Sequence, residues 1–432
     1  MVGAFVPRRT TGSAKVKTLA ANERQTYLLS AILWMIALFP VIPELSWNLL
    51  CIAHIFDHAL IIPLDHGAND FYMFWAAGHL GVSANPALSY HTAPLYAFES
   101  AHIPRPFIDN PWVYPPPSLA FALILGRTSL AVGDAVWLVG LTIASAALLR
   151  AARLPWLVIA AILLSPAALF AASIGQLSVL AAAFFTVTLM RADSAPGRAG
   201  FCAALTMIKP QMALLGPVVL LARKRWRGVA VGALTAAVLL ALTTLILGPG
   251  IWAAYFRYGA PMSRKILLAP FPVFHRQGSH FSYYEFYGTS VFWMLRSLHA
   301  NIALAALGQG AAALGAVVYA WILWRQREIN PVNRVAITLL LGVLISPYGF
   351  AEDLAGYSIA IILLIWQRRR LEIADSILLI WPSFLPYVSI ALHIELTPVF
   401  VLWAILRARR ELAPRADHAN REHNHAGAEP VS

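Results

Sequence analysis

Long apolar runs constrain this chain more than any other feature. Stretches of about 20 apolar residues follow one another along most of its 432 residues. Hydrophobic residues make up 59% of the chain and charged residues only 12%, whereas soluble domains carry about 25% charged residues. A run of this length crosses a bilayer as a helix. We therefore predict an all-α polytopic membrane protein with about 10 to 13 transmembrane helices.

The positive charges fit the same architecture. The net charge is +12, but the basic residues stand in short clusters between apolar runs, as the positive-inside rule expects of cytoplasmic loops. No continuous basic face is left for nucleic acid. We expect a plasma (inner) membrane protein with both termini in the cytoplasm. Residues 1–25 would be a basic tail, 26–410 the transmembrane domain, and 411–432 a polar, disordered tail.

Two long polar stretches interrupt the apolar runs, at residues 65–117 and 248–290. The spacing of the basic clusters predicts that both lie on the outer side, together with residues 346–353. The region 116–153 fits the charge rule in two ways. Either 116–126 is a half-span, or the arginines near 150 lie outside.

The first polar stretch carries the candidate catalytic acid. It holds Asp65, Asp70, Glu99 and Asp109 in a chain with few acids, and its many aromatic residues suit helices lying at a membrane interface. Asp70 precedes an expected helix at 71–80, where it would act as an N-cap. An acid held rigidly in that position also suits a general base. Asp65 is the alternative.

Lys209 lies between two apolar segments and precedes Pro210, which breaks the helix. Non-helical backbone at membrane depth is tolerated where it lines a cavity or is buried in protein, and an ionisable residue there is a candidate functional group. No acid stands one helical turn away, so its partner must come from another segment or from a substrate. We expect an ion pair with a substrate phosphate. The alternatives are pairing with a buried acid and snorkelling to the interface.

Three further positions join the candidate site. Gln176 follows Gly175 at a second break, where a helix N-terminus could bind an anion or the amide could serve helix packing. Glu352 and Asp353 are two acids at the mouth of a span. They could bind sugar hydroxyls, assist the base, hold a cation, or pair with Arg or Lys.

The second polar stretch contradicts the charge rule. Residues 248–300 contain five basic residues and one acid, Glu285. Anionic headgroups would account for the excess charge. So would a bound lipid phosphate, to which Arg forms bidentate hydrogen bonds. We select Arg264 and Lys265 as the candidates for this contact.

Several chemistries have no signature in the chain. There is no helical pair of histidines beside an acid, so we expect no metal site. A Walker motif, a dinucleotide fingerprint and a nucleophile elbow are also absent from the sequence. We expect no cofactor.

An ordered set of short motifs resembles glycosyltransferase family 87. The matching pieces are spread over about residues 30–406. They are Asp70-Phe-Tyr-Met-Phe-Trp-Ala-Ala-Gly78, Asn85-Pro86 with Tyr90, Pro111-Trp-Val-Tyr-Pro-Pro-Pro117, Gly175-Gln176, Lys209-Pro-Gln211, Arg225-Trp-Arg227 and Ser346-Pro-Tyr-Gly-Phe-Ala-Glu-Asp-Leu354. Glu352 departs from the pattern, in which an aromatic residue or histidine precedes the second acid. Trp75, Tyr114 and Gln211 lie in these pieces, and we take them as candidate substrate contacts.

The resemblance implies a GT-C-like bundle and a membrane hexosyltransferase. Its donor would be a hexose, with mannose as the first expectation, on a polyprenyl phosphate, and its acceptor a lipid or glycan on the outer face. Transfer would invert the anomeric centre, with Asp70 as the base. The alternative is a transporter or flippase of a lipid-linked sugar, which broken helices would also suit. A non-catalytic scaffold is the third option, against which Lys209 argues.

Overall fold

The structure is a computed structural model that describes residues 70–103, 110–212, 214–269, 276–277, 280–281, 288–326 and 328–410. Most of these residues are helical, and two dipeptide strands, Arg276–Gln277 and His280–Phe281, pair antiparallel. The prediction of an all-α polytopic membrane protein is confirmed. The expected first span and both tails lie outside the described residues.

Three helices and a 3₁₀ turn occupy the first polar stretch and the beginning of the apolar region after it. They are α1 (Asp70–Gly81), the turn Pro86–Tyr90, α2 (Thr92–His102) and α3 (Pro116–Ala122). Asp70 puts a negative charge in the first turn of α1, where it complements the helix dipole. Prolines open α3, at a position where the missing N–H has no intrahelical partner.

The remaining helices follow the apolar runs. In chain order they are α4 (Leu130–Ala151), α5 (Trp156–Leu163), α6 (Pro166–Ser173), α7 (Ser178–Arg191), α8 (Pro196–Leu205), α9 (Leu215–Ala222), α10 (Trp226–Leu247), α11 (Gly250–Ala254), α12 (Ala260–Leu267), α13 (Val291–Ser297), α14 (Ile302–Arg325), α15 (Pro331–Ile345), α16 (Ala355–Arg368), α17 (Ile373–Leu392) and α18 (Thr397–Arg410). A π-helical turn, Tyr255–Gly259, joins α11 to α12.

Four of these helices, α4, α10, α14 and α17, are long and apolar enough to cross a membrane, or five spans if the bent pair α5–α6 is one. This number, which applies to the described residues only, is lower than the 10 to 13 expected from about 20-residue runs. The reason is local chemistry, because proline, glycine and serine divide several apolar runs into short helices.

Three breaks illustrate this. The axes of α5 and α6 differ by 57°, where Pro166 begins α6 and the Ser165 hydroxyl caps it. The second break separates α6 from α7 at Gly175, whose φ is +76°, a conformation that glycine adopts without steric cost. The third separates α8 from α9 around Lys209 and Pro210. The sequence predicted the last two breaks at the same residues.

Two hydrophobic cores hold the molecule together. The larger core is centred on α7, α15 and α16, whose buried residues are almost continuous. The smaller core joins α1 and α3 to one side of α4 and to the end of α10. Leu177, at the start of α7, belongs to the smaller core. The two cores therefore meet at the break between α6 and α7.

Candidate active site

A polar centre lies where the start of α1 meets the break before α7. The backbone N–H of Phe71 donates to the carbonyl of Ile174 at 2.9 Å. The Gly175 carbonyl accepts from the Trp137 indole N–H at 2.7 Å. A Cβ at Gly175 would overlap Phe71. Glycine is therefore required here twice, for its positive φ and for the close approach of α1.

Asp70 faces this break and has a partner for each carboxylate oxygen. The Asn110 side-chain N–H donates to Oδ1 at 2.9 Å, and the Gln176 amide N–H donates to Oδ2. Each carboxylate oxygen can accept about two hydrogen bonds, so each retains a lone pair for a further donor. The side chain is partly exposed. Burial in the centre raises the pKa of Asp70, while the Gln176 hydrogen bond and the Lys209 charge oppose that rise.

Gln176 connects Asp70 to the positive charge. Its Oε1 accepts from the Tyr114 hydroxyl at 2.9 Å and from Lys209 Nζ at 2.9 Å. Because Lys209 can only donate and the ionised carboxylate of Asp70 can only accept, the amide oxygen must face Lys209 and the amide N–H must face Asp70. The network therefore fixes the orientation of Gln176 without an alternative flip.

Lys209 is almost completely buried, with 1% of its side chain exposed, and its ammonium group has three acceptors. Nζ lies 2.6 Å from Asp353 Oδ1, and it donates to Gln176 and, at 2.7 Å, to the Ser178 hydroxyl. An ammonium group has three hydrogens, so all of them are used within the protein. The sequence analysis expected a substrate phosphate as the partner of Lys209, with a buried acid as the alternative. The structure gives it a buried acid, Asp353.

Asp353 is held from two sides. Ser178 donates to its Oδ1 at 3.1 Å, and the Phe350 backbone N–H donates to its Oδ2 at 3.3 Å. Phe350 in turn pairs with Gly288 in an antiparallel bridge, and the Thr289 N–H donates to the Gly349 carbonyl at 2.9 Å. The end of the second polar stretch is thus fixed to the segment that carries Asp353.

Glu352 and Gln211 lie beside this pair. Burial, followed by the negative charge of Asp353, raises the pKa of Glu352 to about 8. The positive charge of Lys209 opposes this rise. Gln211 lines a cavity of about 30 Å³ next to Asp353, which is space for a single water molecule.

Three predicted site residues lie away from the centre. Trp75 points to another face of α1, where its indole N–H donates to the Thr128 carbonyl at 3.1 Å. Arg264 and Lys265 are exposed on α12. Their helix reaches the site's edge through Ser263, whose hydroxyl donates to the Val113 carbonyl at 3.4 Å. Asp65, the alternative base, lies outside the described residues.

Sequence reasoning missed two members of the centre, Asn110 and Ser178. Asn110 directly precedes the Pro111-Trp112 motif, and Ser178 follows Gln176 by two residues. Proximity to a recognised motif was the available signal. What a sequence does not give is that their side chains turn toward Asp70 and Lys209. Among the described residues, no group of three or more His, Cys, Asp or Glu side chains could hold a metal ion.

Comparisons with known proteins give one match. A family model described as Glycosyltransferase family 87 matches residues 112–347, more than half of the chain. The matched region contains Tyr114, Gln176 and Lys209 but not Asp70 or Asp353. No curated protein and no solved structure matches the chain.

Proposed function

Because the chain belongs to glycosyltransferase family 87, and is thus a membrane glycosyltransferase, we propose that it transfers a hexose from a polyprenyl phosphate to a lipid or glycan acceptor. We propose mannose as the first sugar to test. The reaction would take place on the outer face of the plasma membrane. A sugar on a polyprenyl phosphate is already activated, so the protein has to supply a base for the acceptor and a positive charge for the leaving phosphate.

Asp70 is the proposed base. Its two amide partners hold the carboxylate in place while a lone pair on each oxygen remains for an acceptor hydroxyl. Burial raises its pKa, and a base whose pKa is closer to the working pH accepts a proton more effectively. One base acting in a single displacement inverts the anomeric centre, by the geometry that also separates inverting from retaining glycosidases.

The proposed phosphate site lies between Lys209 and the exposed cations of α12. Lys209 provides the buried charge, but each of its hydrogens already has an acceptor. A phosphate oxygen would therefore bind Lys209 only by displacing one of these acceptors. Arg264 and Lys265, exposed on a helix that touches Val113 next to Tyr114, would bind the phosphate from outside. Trp75, Tyr114, Gln211, Glu352 and Asp353 remain candidate substrate contacts.

One observation carries the proposal most strongly. A carboxylate with spare acceptor capacity is connected through Gln176 to a buried lysine. The transfer needs these two groups. A transporter of lipid-linked sugars would not need a base.

The test is an assay of the purified protein in liposomes that contain a radiolabelled polyprenyl-phosphate hexose and a membrane lipid extract. We expect label in a new lipid or glycan, with release of one polyprenyl phosphate for each sugar transferred. Movement of intact donor across the liposome membrane without such release would contradict the proposal and favour the transporter.

A further inference from the structure

A basic pocket lies at the end of the molecule away from Asp70. Its volume is about 550 Å³, and it is lined by Ala222, Arg223, Lys224, Arg225 and Arg325. Helix α7 connects the two ends, because it begins at Ser178 in the polar centre and ends at Arg191, close to Asp193. Its 14 residues span about 21 Å. The pocket is therefore separate from the proposed active site.

The pocket has more positive than negative charge. Asp193 accepts hydrogen bonds from Arg223 and Arg225 at 2.8 and 2.9 Å, and it also forms an ion pair with Arg334 at 3.3 Å. One carboxylate thus serves three guanidinium groups. Lys224 and Arg325 are exposed, and no carboxylate among the described residues pairs with either. An anion in the pocket would meet uncompensated charge.

The surroundings of the pocket have the features of a bilayer surface. Helix α10 begins one residue beyond the pocket and α14 ends in it, and both are long enough to cross a membrane. Trp226, the first residue of α10, is 64% exposed, as aromatic residues at a membrane interface often are. The basic residues therefore lie where lipid headgroups would be.

Exposed apolar side chains continue from the pocket along α9. Helix α9, which ends at the pocket, has eight residues and spans about 12 Å. It packs against both α10 and α14, which are much longer and mostly unburied. Leu221 is exposed on α9, and Leu214, directly before the helix, is also exposed. Exposed apolar surface on a helix that contacts two long apolar helices therefore adjoins the basic pocket.

We propose that this pocket binds the phosphate headgroup of an anionic phospholipid, whose acyl chains lie along α9 between α10 and α14. Arginine and lysine side chains bind phosphate through charge-assisted hydrogen bonds. The exposed apolar surface of α9 favours a lipid over a soluble phosphate, because only a lipid contacts both the basic pocket and this surface. The inference is independent of the sugar donor and of Asp70.

The test is thermal unfolding of the detergent-purified full chain with added phosphatidylglycerol, phosphatidylcholine, sn-glycerol 3-phosphate or inorganic phosphate. We expect phosphatidylglycerol to raise the Tm more than phosphatidylcholine, and both soluble phosphates to have no effect. The double variant Lys224→Gln/Arg325→Gln should lose the additional rise in Tm that phosphatidylglycerol gives over phosphatidylcholine. The control Arg227→Gln/Arg410→Gln removes two charges from exposed sites at the same end and should keep it.

Four results would overturn the proposal. Equal shifts with the two lipids would show that the headgroup charge is not recognised. A full shift with a soluble phosphate would assign the pocket to a free anion. An unchanged additional rise in the Lys224/Arg325 variant, or an equal loss in the control, would show that the lipid responds only to the overall charge of this end.

Discussion

The polar centre depends on Lys209, because Gln176, Ser178 and Asp353 all bind its ammonium group. The sequence predicted that its partner would come from elsewhere in the chain or from a substrate. It could not identify Asp353, because the pairing depends on how α8, α7 and α16 pack. The adjacent Glu352-Asp353 was recognised as unusual, yet which of the two acids meets the lysine is a tertiary result.

This pair predicts an asymmetric response to mutation. Lys209→Met leaves Asp353 as an uncompensated buried charge and should destabilise the protein by roughly 3–5 kcal/mol. Adding Asp353→Asn to the Met variant removes that charge and should restore part of the loss. Thermal unfolding in detergent measures both. Single and double variants with equal stability would contradict the pairing.

Gln176 predicts a change in pH dependence. Its N–H donates to the ionised Asp70 and opposes the rise in pKa that burial causes, so Gln176→Leu should raise that pKa further. Since the base works only when ionised, the acid limb of kcat/KM should move to higher pH. The shift should be about 1–2 pH units, because a hydrogen bond to a charged group contributes ~1.5–3 kcal/mol.

The matched control for this shift is Gln211→Leu. Gln211 lines the cavity beside Asp353, whereas Asp70 accepts from Asn110 and Gln176. We expect the Gln211 variant to keep the acid limb at its original pH, whatever its rate. If the acid limb of Gln176→Leu stays at its original pH, Gln176 does not influence the ionisation of Asp70.

At the scale of elements, the broken helices were the part of the fold that the sequence predicted best. Apolar run length, proline and glycine act locally, so the sequence alone predicted the breaks at Gly175 and Lys209. The 57° angle between α5 and α6 and the docking of α1 on the second break depend on distant packing. No local pattern encodes them.

The break at Gly175 gives the element-scale prediction. Gly175→Ala places a Cβ against Phe71 at a φ of +76°, so α1 must move and take Asp70 away from Gln176. Left-handed backbone alone costs about 1–2 kcal/mol for a non-glycine residue, and the overlap adds to it. We expect a lower Tm and a larger loss of turnover.

Gly140→Ala is the control for this substitution. Gly140 lies within α4, and a Cβ there would meet no atom within 4 Å apart from its chain neighbours and its own helix backbone. Alanine favours the helix over glycine by about 1 kcal/mol, so this variant should be unchanged or slightly more stable. Equal losses of Tm and turnover in both variants would mean that the close approach of Phe71 to Gly175 does not determine stability or activity.

At the scale of the whole molecule, the three segments predicted to share a side meet around one centre. Residues 110–114, the end of the second polar stretch and the segment 346–353 all contact it. Positive clusters gather at the opposite end, around Asp193 and around Asp375, which pairs with Arg368 and Arg407. This separation follows from charge clusters in the sequence.

Cysteine labelling tests the sidedness. In a background without Cys51 and Cys202, the exposed variants Ala97→Cys and Arg257→Cys should react with an impermeant thiol reagent on intact cells. Lys224→Cys and Arg370→Cys should react only after permeabilisation. The reverse pattern, or labelling of all four from outside, would contradict an outward-facing site.

The most direct test of the account is Asp70→Asn, measured as single-turnover transfer from a polyprenyl-phosphate hexose alongside donor binding. Asparagine keeps the size of the side chain but cannot accept the proton. We predict a fall in turnover of roughly 10²–10⁴, with donor affinity and Tm close to wild type, while Asp65→Asn stays active. Near-normal turnover in Asp70→Asn would contradict its assignment as the base.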